Sequence, residues 1–198
     1  MVDIVHGIPE HFRSDAANLF EQAFAAKFSV AVPSASKRMA LVRKGLHLTH
    51  SFAAISNDRL VGLVGYQTDA GSFTGGITYQ NLLDQLGLLG GHRAALIFHL
   101  YERSMEPHVL LLDGIAVDVA MRGQGIGTQL LDAVAKFAVE QRFKSIRLDV
   151  IDTNDGARRL YERNQFIATR TETFGYLRWL LGFGASTTLT RAASEAVS

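Results

Sequence analysis

The sequence predicts an α/β (α+β) fold in a single domain spanning residues 1–198. Two observations carry this. Short apolar or alternating runs that read as strands are interleaved along the whole chain with stretches of helical period. One unit then stands out: an apolar run from Val109 to Val117, a glycine-rich turn, and a helical pattern from Gln129 to Gln141.

Val2 to His6 alternates and reads as a first strand, and Ile8-Pro9 marks a turn that suits a helix start. Apolar residues then recur at Phe12, Ala16, Leu19, Phe20, Ala23, Phe24 and Phe28, so a helix is expected over Glu10 to Phe28. A weaker helix follows Pro33, from Ser34 to Leu46. His47 to Ser56 and Leu60 to Gln67 read as two strands joined at Asn57-Asp58-Arg59, a hairpin signal. Ala70 to Gly76 reads as a loop. Thr78 to Leu89 and Ala94 to Tyr101 read as two helices, separated by Gly90-Gly91. After the central unit come a strand at Ser145 to Ile151, a helix at Asn154 to Arg163 and a strand at Phe166 to Thr171. Thr173 to Gly184 is an apolar, aromatic connection of undetermined form. A last strand is expected at Ala185 to Arg191, followed by a frayed tail.

The turn Arg122-Gly123-Gln124-Gly125-Ile126-Gly127-Thr128 sits between a strand and a helix N-terminus. The first N–H groups of a helix lack partners within it, and the helix dipole adds partial positive charge there. Glycines at 123, 125 and 127 remove Cβ atoms that would obstruct a phosphate, so the unit reads as an anion site. A Walker loop is excluded because no Lys-Ser/Thr pair follows the glycines. A dinucleotide fingerprint fits poorly because Thr128 stands where its last glycine belongs. Asp149 lies at a suitable distance for a ribose partner, but too little chain follows it to complete a doubly wound sheet. Gly125 and Gly127 also fit a plain structural turn.

The segment resembles the GCN5-related N-acetyltransferases (the GNAT family). Arg122-x-x-Gly125-x-Gly127 is similar to that family's Arg/Gln-x-x-Gly-x-Gly/Ala acyl-CoA pyrophosphate loop, and Ile115-Ala116-Val117 looks like its central strand. A second block follows at the expected distance: Asp149-Val150, then Asn154-x-x-Ala157-x-x-Leu160-Tyr161-Glu162-Arg163-x-x-Phe166. Gln165 departs from the pattern, standing where the family usually has glycine, so an altered turn is expected there. The resemblance implies a mixed, mostly antiparallel twisted sheet of six or seven strands flanked by helices. Residues 70–107 would then be a helical insertion before the central strand. It also implies transfer of an acetyl group from acetyl-CoA directly to a primary amine of a small molecule or peptide. A non-catalytic acyl-CoA-binding sensor or interaction module and a nicotinamide oxidoreductase are the alternatives.

Composition bounds the partners. The net charge of +1 gives no basic field for nucleic acid. There are no cysteines, so disulfides, thiolate metal sites and an acyl-cysteine intermediate are excluded. The seven histidines show no metal-ligand spacing, and no metal is expected. The start of the chain lacks a signal-peptide pattern and no apolar run reaches membrane-span length. A cytoplasmic protein without membrane or nucleic-acid partners is therefore expected.

The resemblance places Ile115, Ala116, Val117, Arg122, Gly123, Gln124, Gly125, Ile126, Gly127, Thr128, Asn154, Ala157 and Arg158 at the cofactor. It places the Tyr161 hydroxyl near the CoA sulfur, as proton donor to the leaving thiolate. Asn154 equally fits a helix N-cap, and Tyr161 equally fits a packing role. Asp113, an acid in an otherwise apolar strand, is costly to bury and should have a partner or a purpose. Strand alternation puts it on the face of Leu111 and Ile115, opposite Leu112 and Gly114. Family members often carry an acid at the matching place, so Asp113 is the expected base, direct or through a water, its pKa raised by burial. Glu106 and His108 are the nearest substitutes. The inserted segment is expected to form one wall of the acceptor site, with Tyr79, His92 and His99 as polar contacts. Its apolar faces could instead cover the sheet edge or a second copy in a homodimer.

Overall fold

The computed structural model describes residues 1–99, 105–175 and 182–193. In chain order the elements are β1 (Asp3–His6), α1 (Arg13–Ala31), α2 (Ala35–Gly45), β2 (Ser51–Ser56), β3 (Arg59–Thr68), β4 (Gly71–Ser72), α3 (Tyr79–His99), β5 (Val109–Val117), α4 (Ile126–Glu140), β6 (Ser145–Ile151), α5 (Asp155–Arg163), β7 (Ile167–Thr173) and β8 (Ala185–Ala192). The strands form one eight-stranded sheet in the order β1-β2-β3-β5-β6-β8-β7, with β4 paired to β3. Every pairing is antiparallel except β5 with β6, giving the mixed sheet expected, with one strand more than the upper count. The extra strand is β4, two residues long, inside the segment expected as a loop.

Each face of the sheet is covered because β2, β3 and β5 carry apolar side chains on both sides. On one face α1 and α2 bury Ala16, Ala17, Phe20, Val42 and Leu46 against Leu63, Phe73 and Ala116. On the other, α4 buries Leu130, Leu131, Val134 and Ala138 against Val64, Leu110, Leu112 and Ile146. Leu130 is wholly enclosed, so its truncation to alanine should cost about 2–5 kcal/mol. The α1–α2 corner is fixed by Arg38, which is buried, ion-paired to Glu21 at 2.8 Å, and donates to the Val32 and Pro33 carbonyls.

Several boundaries differ from the sequence reading, each for a local reason. Glu10–Phe12 forms a 3-10 turn before α1, and α1 runs on to Ala31. Residues 47–50 turn before β2 begins at Ser51. Asn57 and Asp58 both take left-handed backbone angles (φ 49° and 53°), the conformation a tight two-residue hairpin needs. The inserted helices form one run, α3, kinked at Gly87 (φ 75°, ψ 175°) and not at Gly90-Gly91. Gly91 instead allows close packing, since a Cβ there would come 2.7 Å from Leu83 Cδ2. Residues 100–101, the end of the second helix the sequence predicts, lie outside the described residues, as do 176–181 of the β7–β8 connection and 194–198 of the tail. Of that connection, Phe174 donates its backbone N–H to Gly184, and Phe174 meets Phe183 edge to face at 5.5 Å, extending the β7–β8 pairing. Gln165 takes φ 66°, so a left-handed turn persists after α5 without its glycine.

Candidate active site

The site begins with a failure of pairing. β5 and β6 run parallel and are bonded only over Val109–Leu111 against Ser145–Arg147. Beyond that, β5 stays on β3 up to Val117 while β6 stays on β8 up to Ile151. The two strands therefore splay, and the facing edges of Leu112–Val117 and Leu148–Ile151 line a cavity of about 1690 Å³. That exceeds the 300–1,000 Å³ typical of a pocket for one drug-sized ligand, so there is room for a large cofactor and a second molecule.

At one end stands the glycine loop. Gly123 (φ 79°) and Gly125 (φ 78°) take left-handed angles, and a Cβ at either would meet nothing within 4 Å. These two glycines are required by backbone conformation rather than by crowding. Gly127 has a different reason: its Cβ would come 2.9 Å from Leu160 Cδ2, so it lets α4 approach α5. The helix starts at Ile126, three residues earlier than its apolar period suggests, with Gly125 as N-cap. The N–H groups of Ile126, Gly127 and Thr128 are thus first-turn donors at the mouth of the cavity. Arg122 is exposed and donates from Nε to the Val117 carbonyl (3.2 Å), tying the loop to the end of β5.

On the β6 side, Asn154 accepts from the Ala157 N–H at 3.2 Å, so it is the N-cap of α5 as well as part of the cavity wall. Tyr161 is buried, lines the cavity and packs on Phe166 with ring centroids 5.8 Å apart. Asp149 accepts from Thr188 Oγ1 at 2.6 Å across the β6–β8 pair, a structural partnership.

At the far end lies Asp113. A bulge separates Gly65↔Gly114 from Tyr66↔Leu112, leaving Asp113 as the extra residue on β5. The bulge breaks the alternation expected for this strand. Gly114 abuts Phe24 of α1, whereas Ile115 packs with the core beneath α4, as does Leu112. Leu112 and Ile115 therefore share a face, which simple alternation would not allow. The Asp113 carboxylate accepts from the Thr74 N–H (3.3 Å) and Thr74 Oγ1 (3.4 Å) in the β4–α3 connection. His50 lies close enough to feel its charge, but burial, and then the neighbouring His47, lower the pKa of His50 despite Asp113. Behind it, Tyr66 OH is 2.8 Å from His6 Nε2, and burial raises the Tyr66 pKa.

The inserted α3 borders the same cavity. Tyr79, His92 and His99 all line it, and the Tyr79 hydroxyl is 2.7 Å from His92 Nδ1. Leu82 is buried, whereas Leu88, Leu89 and Leu96 are exposed.

Of the residues singled out from sequence, the cavity wall includes Asp113, Tyr161, Ile115, Ala116, Val117, Arg122, Gly123, Gly125, Ile126, Gly127, Thr128, Asn154, Ala157, Tyr79, His92 and His99. It does not include Gln124, whose amide contacts Met121 Sδ, or Arg158, which is paired to Glu162 at 2.9 Å on the exposed side of α5. Glu106 is paired to Arg147, and neither it nor His108 reaches the wall. Sequence reasoning missed Thr74, for which no signal existed. It also missed the phenylalanines of α1, whose four-residue spacing was visible but reads equally as core. Among the described residues, no group of three or more His, Asp or Glu side chains is placed to hold a metal ion, and no helix is long and apolar enough to cross a membrane.

A splayed parallel strand pair, with a glycine loop at a helix N-terminus beside it and a buried tyrosine across from it, defines an acyltransferase architecture. The family model described as "Acetyltransferase (GNAT) family" matches residues 17–166, and the chain belongs to that family. No curated protein matches the sequence. Solved structures share the fold at low identity. A GCN5-related N-acetyltransferase from Kribbella flavida is 14% identical with a TM-score of 0.64, over 96% of this chain and 97% of that one. The ribosomal-protein-S18-alanine N-acetyltransferase from Escherichia coli is 16% identical with a TM-score of 0.59, over 99% and 96%. Ard1 from Thermoplasma volcanium is 16% identical with a TM-score of 0.59, over 98% and 99%. Members of the family normally use acetyl-CoA and act on amine acceptors.

Proposed function

We propose that this protein transfers the acetyl group of acetyl-CoA directly to a primary amine, in the splayed cavity between β5 and β6. The observation that carries this is the pairing of two left-handed glycines with three first-turn N–H donors at the cavity mouth. The pyrophosphate of CoA would take those donors, with Arg122 adding positive charge. The β5 edge from Leu112 to Val117, which faces the cavity, offers main-chain groups that the amides of the pantetheine arm could pair with, as an added strand would.

The chemistry then needs three things. The amine must lose a proton, for which Asp113 at the bulge is the carboxylate at hand, directly or through a water. Its bonds from Thr74 hold that carboxylate in place. The amine nitrogen forms its bond to the thioester carbon as the carbon–sulfur bond breaks. The departing sulfur keeps the proton it takes from the Tyr161 hydroxyl and leaves as the thiol, and the tyrosinate regains a proton from solvent, which receives the second proton released by the amine nitrogen as the amide forms. The inserted α3, with Tyr79, His92 and His99, would form one wall for the acceptor.

Acetyl-CoA titrated into the protein by calorimetry, followed by thiol release with pooled primary amines, tests this. Saturable binding with amine-dependent thiol release is expected. Absence of binding, or thiol release indifferent to amines, would overturn the proposal.

A further inference from the structure

The end of the cavity beyond Asp113 is walled by aromatic rings. Phe20, Phe24 and Phe28 stand one turn apart on α1, each lining the cavity. The Phe20 ring is 4.5 Å from that of Phe24 and 5.8 Å from that of Phe28, and Phe28 is 5.3 Å from Phe98 on α3. The ladder thus crosses from one helix to the other and closes over this end of the space, with Ile77 and Leu82 beside it.

The ladder also touches the reaction centre. A Cβ on Gly114 would lie 2.2 Å from Phe24 Cζ, so the ring rests on the β5 backbone one residue from Asp113. A carboxylate and an apolar wall are immediate neighbours. The charge balance is equally lopsided. Among the described residues lining this end, Asp113 is the only carboxylate, and none is Lys or Arg; His92 and His99 are the other ionisable side chains besides Tyr79.

Resting on the acetyl-transfer reading above, we infer that the acceptor is a monoamine carried on an apolar, ring-sized body. Its ammonium would be drawn to Asp113 and its body would lie along Phe24, Phe28 and Phe98. A polyamine would have to bury a second cation against rings that have no second carboxylate among the described residues. An amino acid would bring a carboxylate to a wall whose described residues offer it no guanidinium or ammonium. The same wall could instead take a longer acyl chain on CoA. Phe24, seated on the strand beside the reacting carbon's expected place, favours the acceptor.

The test uses the full chain. Acetyl-CoA affinity is measured first, then kcat/KM for 2-phenylethylamine, spermidine and lysine amide, and finally for hexanoyl-CoA against acetyl-CoA with the preferred amine. The same measurements follow for Phe98→Ala and the milder Phe24→Leu, each checked for a retained Tm. Phenylethylamine should exceed spermidine and lysine amide by about tenfold or more in kcat/KM, the scale on which an apolar pocket discriminates. Phe98→Ala and Phe24→Leu should raise its KM severalfold while the Kd for acetyl-CoA stays within about twofold, because uniform binding is lost from the acceptor side alone. Equal or better use of spermidine, an unchanged KM in both variants, or preference for hexanoyl-CoA would overturn the inference while leaving acetyl transfer standing. Failure of the wild type to bind acetyl-CoA would remove the acetyl-transfer reading and this inference with it.

Discussion

Gly65 and Gly114 are register partners across β3 and β5, and each supports a phenylalanine ring on the α1 face. The same substitution at the two positions should have different costs. At Gly65, a Cβ would come 2.3 Å from Phe73 Cδ1 and 2.7 Å from Phe73 Cβ. Phe73 is fully buried, and its Cβ is fixed to the backbone, so rotation cannot relieve the overlap. Contact distances of about 3.5–4.0 Å are normal between carbons, so Gly65→Ala forces a backbone shift of about 1 Å. Overpacking of this kind should cost about 3 kcal/mol, at the upper end of its usual range. At Gly114 the clash is with Phe24 Cζ, the far end of a half-buried ring facing the cavity. That ring can swing away, so Gly114→Ala should cost only about 1 kcal/mol. For a chain of this size, about 2–4 °C of Tm follows each kcal/mol, so the two variants should differ by several degrees in thermal unfolding. Gly114→Ala should also raise the KM for amines, because the displaced ring enters the acceptor space, while the Kd for acetyl-CoA holds. Equal destabilisation of the two variants, or an unchanged amine KM in Gly114→Ala, would refute the reasoning.

Three further outcomes follow from the site. Tyr161→Phe removes a hydroxyl and little volume, so kcat should fall about 10- to 100-fold with acetyl-CoA affinity kept, measured by thiol release; unaltered turnover would return Tyr161 to packing alone. Asp113→Asn should slow the reaction most near neutral pH and recover up to about tenfold per pH unit as the solution approaches the pKa of about 10 of a free amine; a pH–rate profile identical to wild type would eliminate Asp113 as the base. The folded pKa of His50 lies below its unfolded value because the site is buried and close to His47. The unfolded chain therefore binds the proton first, and His50 lowers stability as pH falls below about 6.5. His50→Gln should flatten the decline in Tm between about pH 7.5 and about pH 5.5, and an unchanged slope would show that His50 titrates alike in both states.

What was legible in the sequence was set by periodicity and by glycine. The strand at Val109–Val117 and the loop at Arg122–Thr128 were visible because apolar runs and glycines act locally, through burial and backbone angle. The hairpin at Asn57-Asp58 was visible for the same reason. The start of α4 was placed late because Ile126-Gly127-Thr128 resembles a turn, and glycine in a helix is costly unless a neighbour needs the space. Leu160 is that neighbour, and it comes from a different element. The kink in α3 was assigned to Gly90-Gly91 when Gly87 bends it, since a pair of glycines and a single one look alike until packing against Leu83 distinguishes them. The bulge at Asp113 was invisible because register is a property of two strands, and it reverses the face of Ile115 relative to simple alternation. Thr74 reaches Asp113 across 39 positions of chain, a contact that no local pattern encodes.

The most direct measurement follows backbone amide resonances as acetyl-CoA is added. Cofactor seated between β5 and β6 with its pyrophosphate on the helix start should move the amides of Gly123 to Thr128 and of Leu112 to Val117, with those at the start of α5, and leave those of β1 nearly still. Saturable shifts confined to those two segments and the start of α5 would be the predicted result. Shifts centred elsewhere on the sheet, or none at saturating acetyl-CoA, would contradict it.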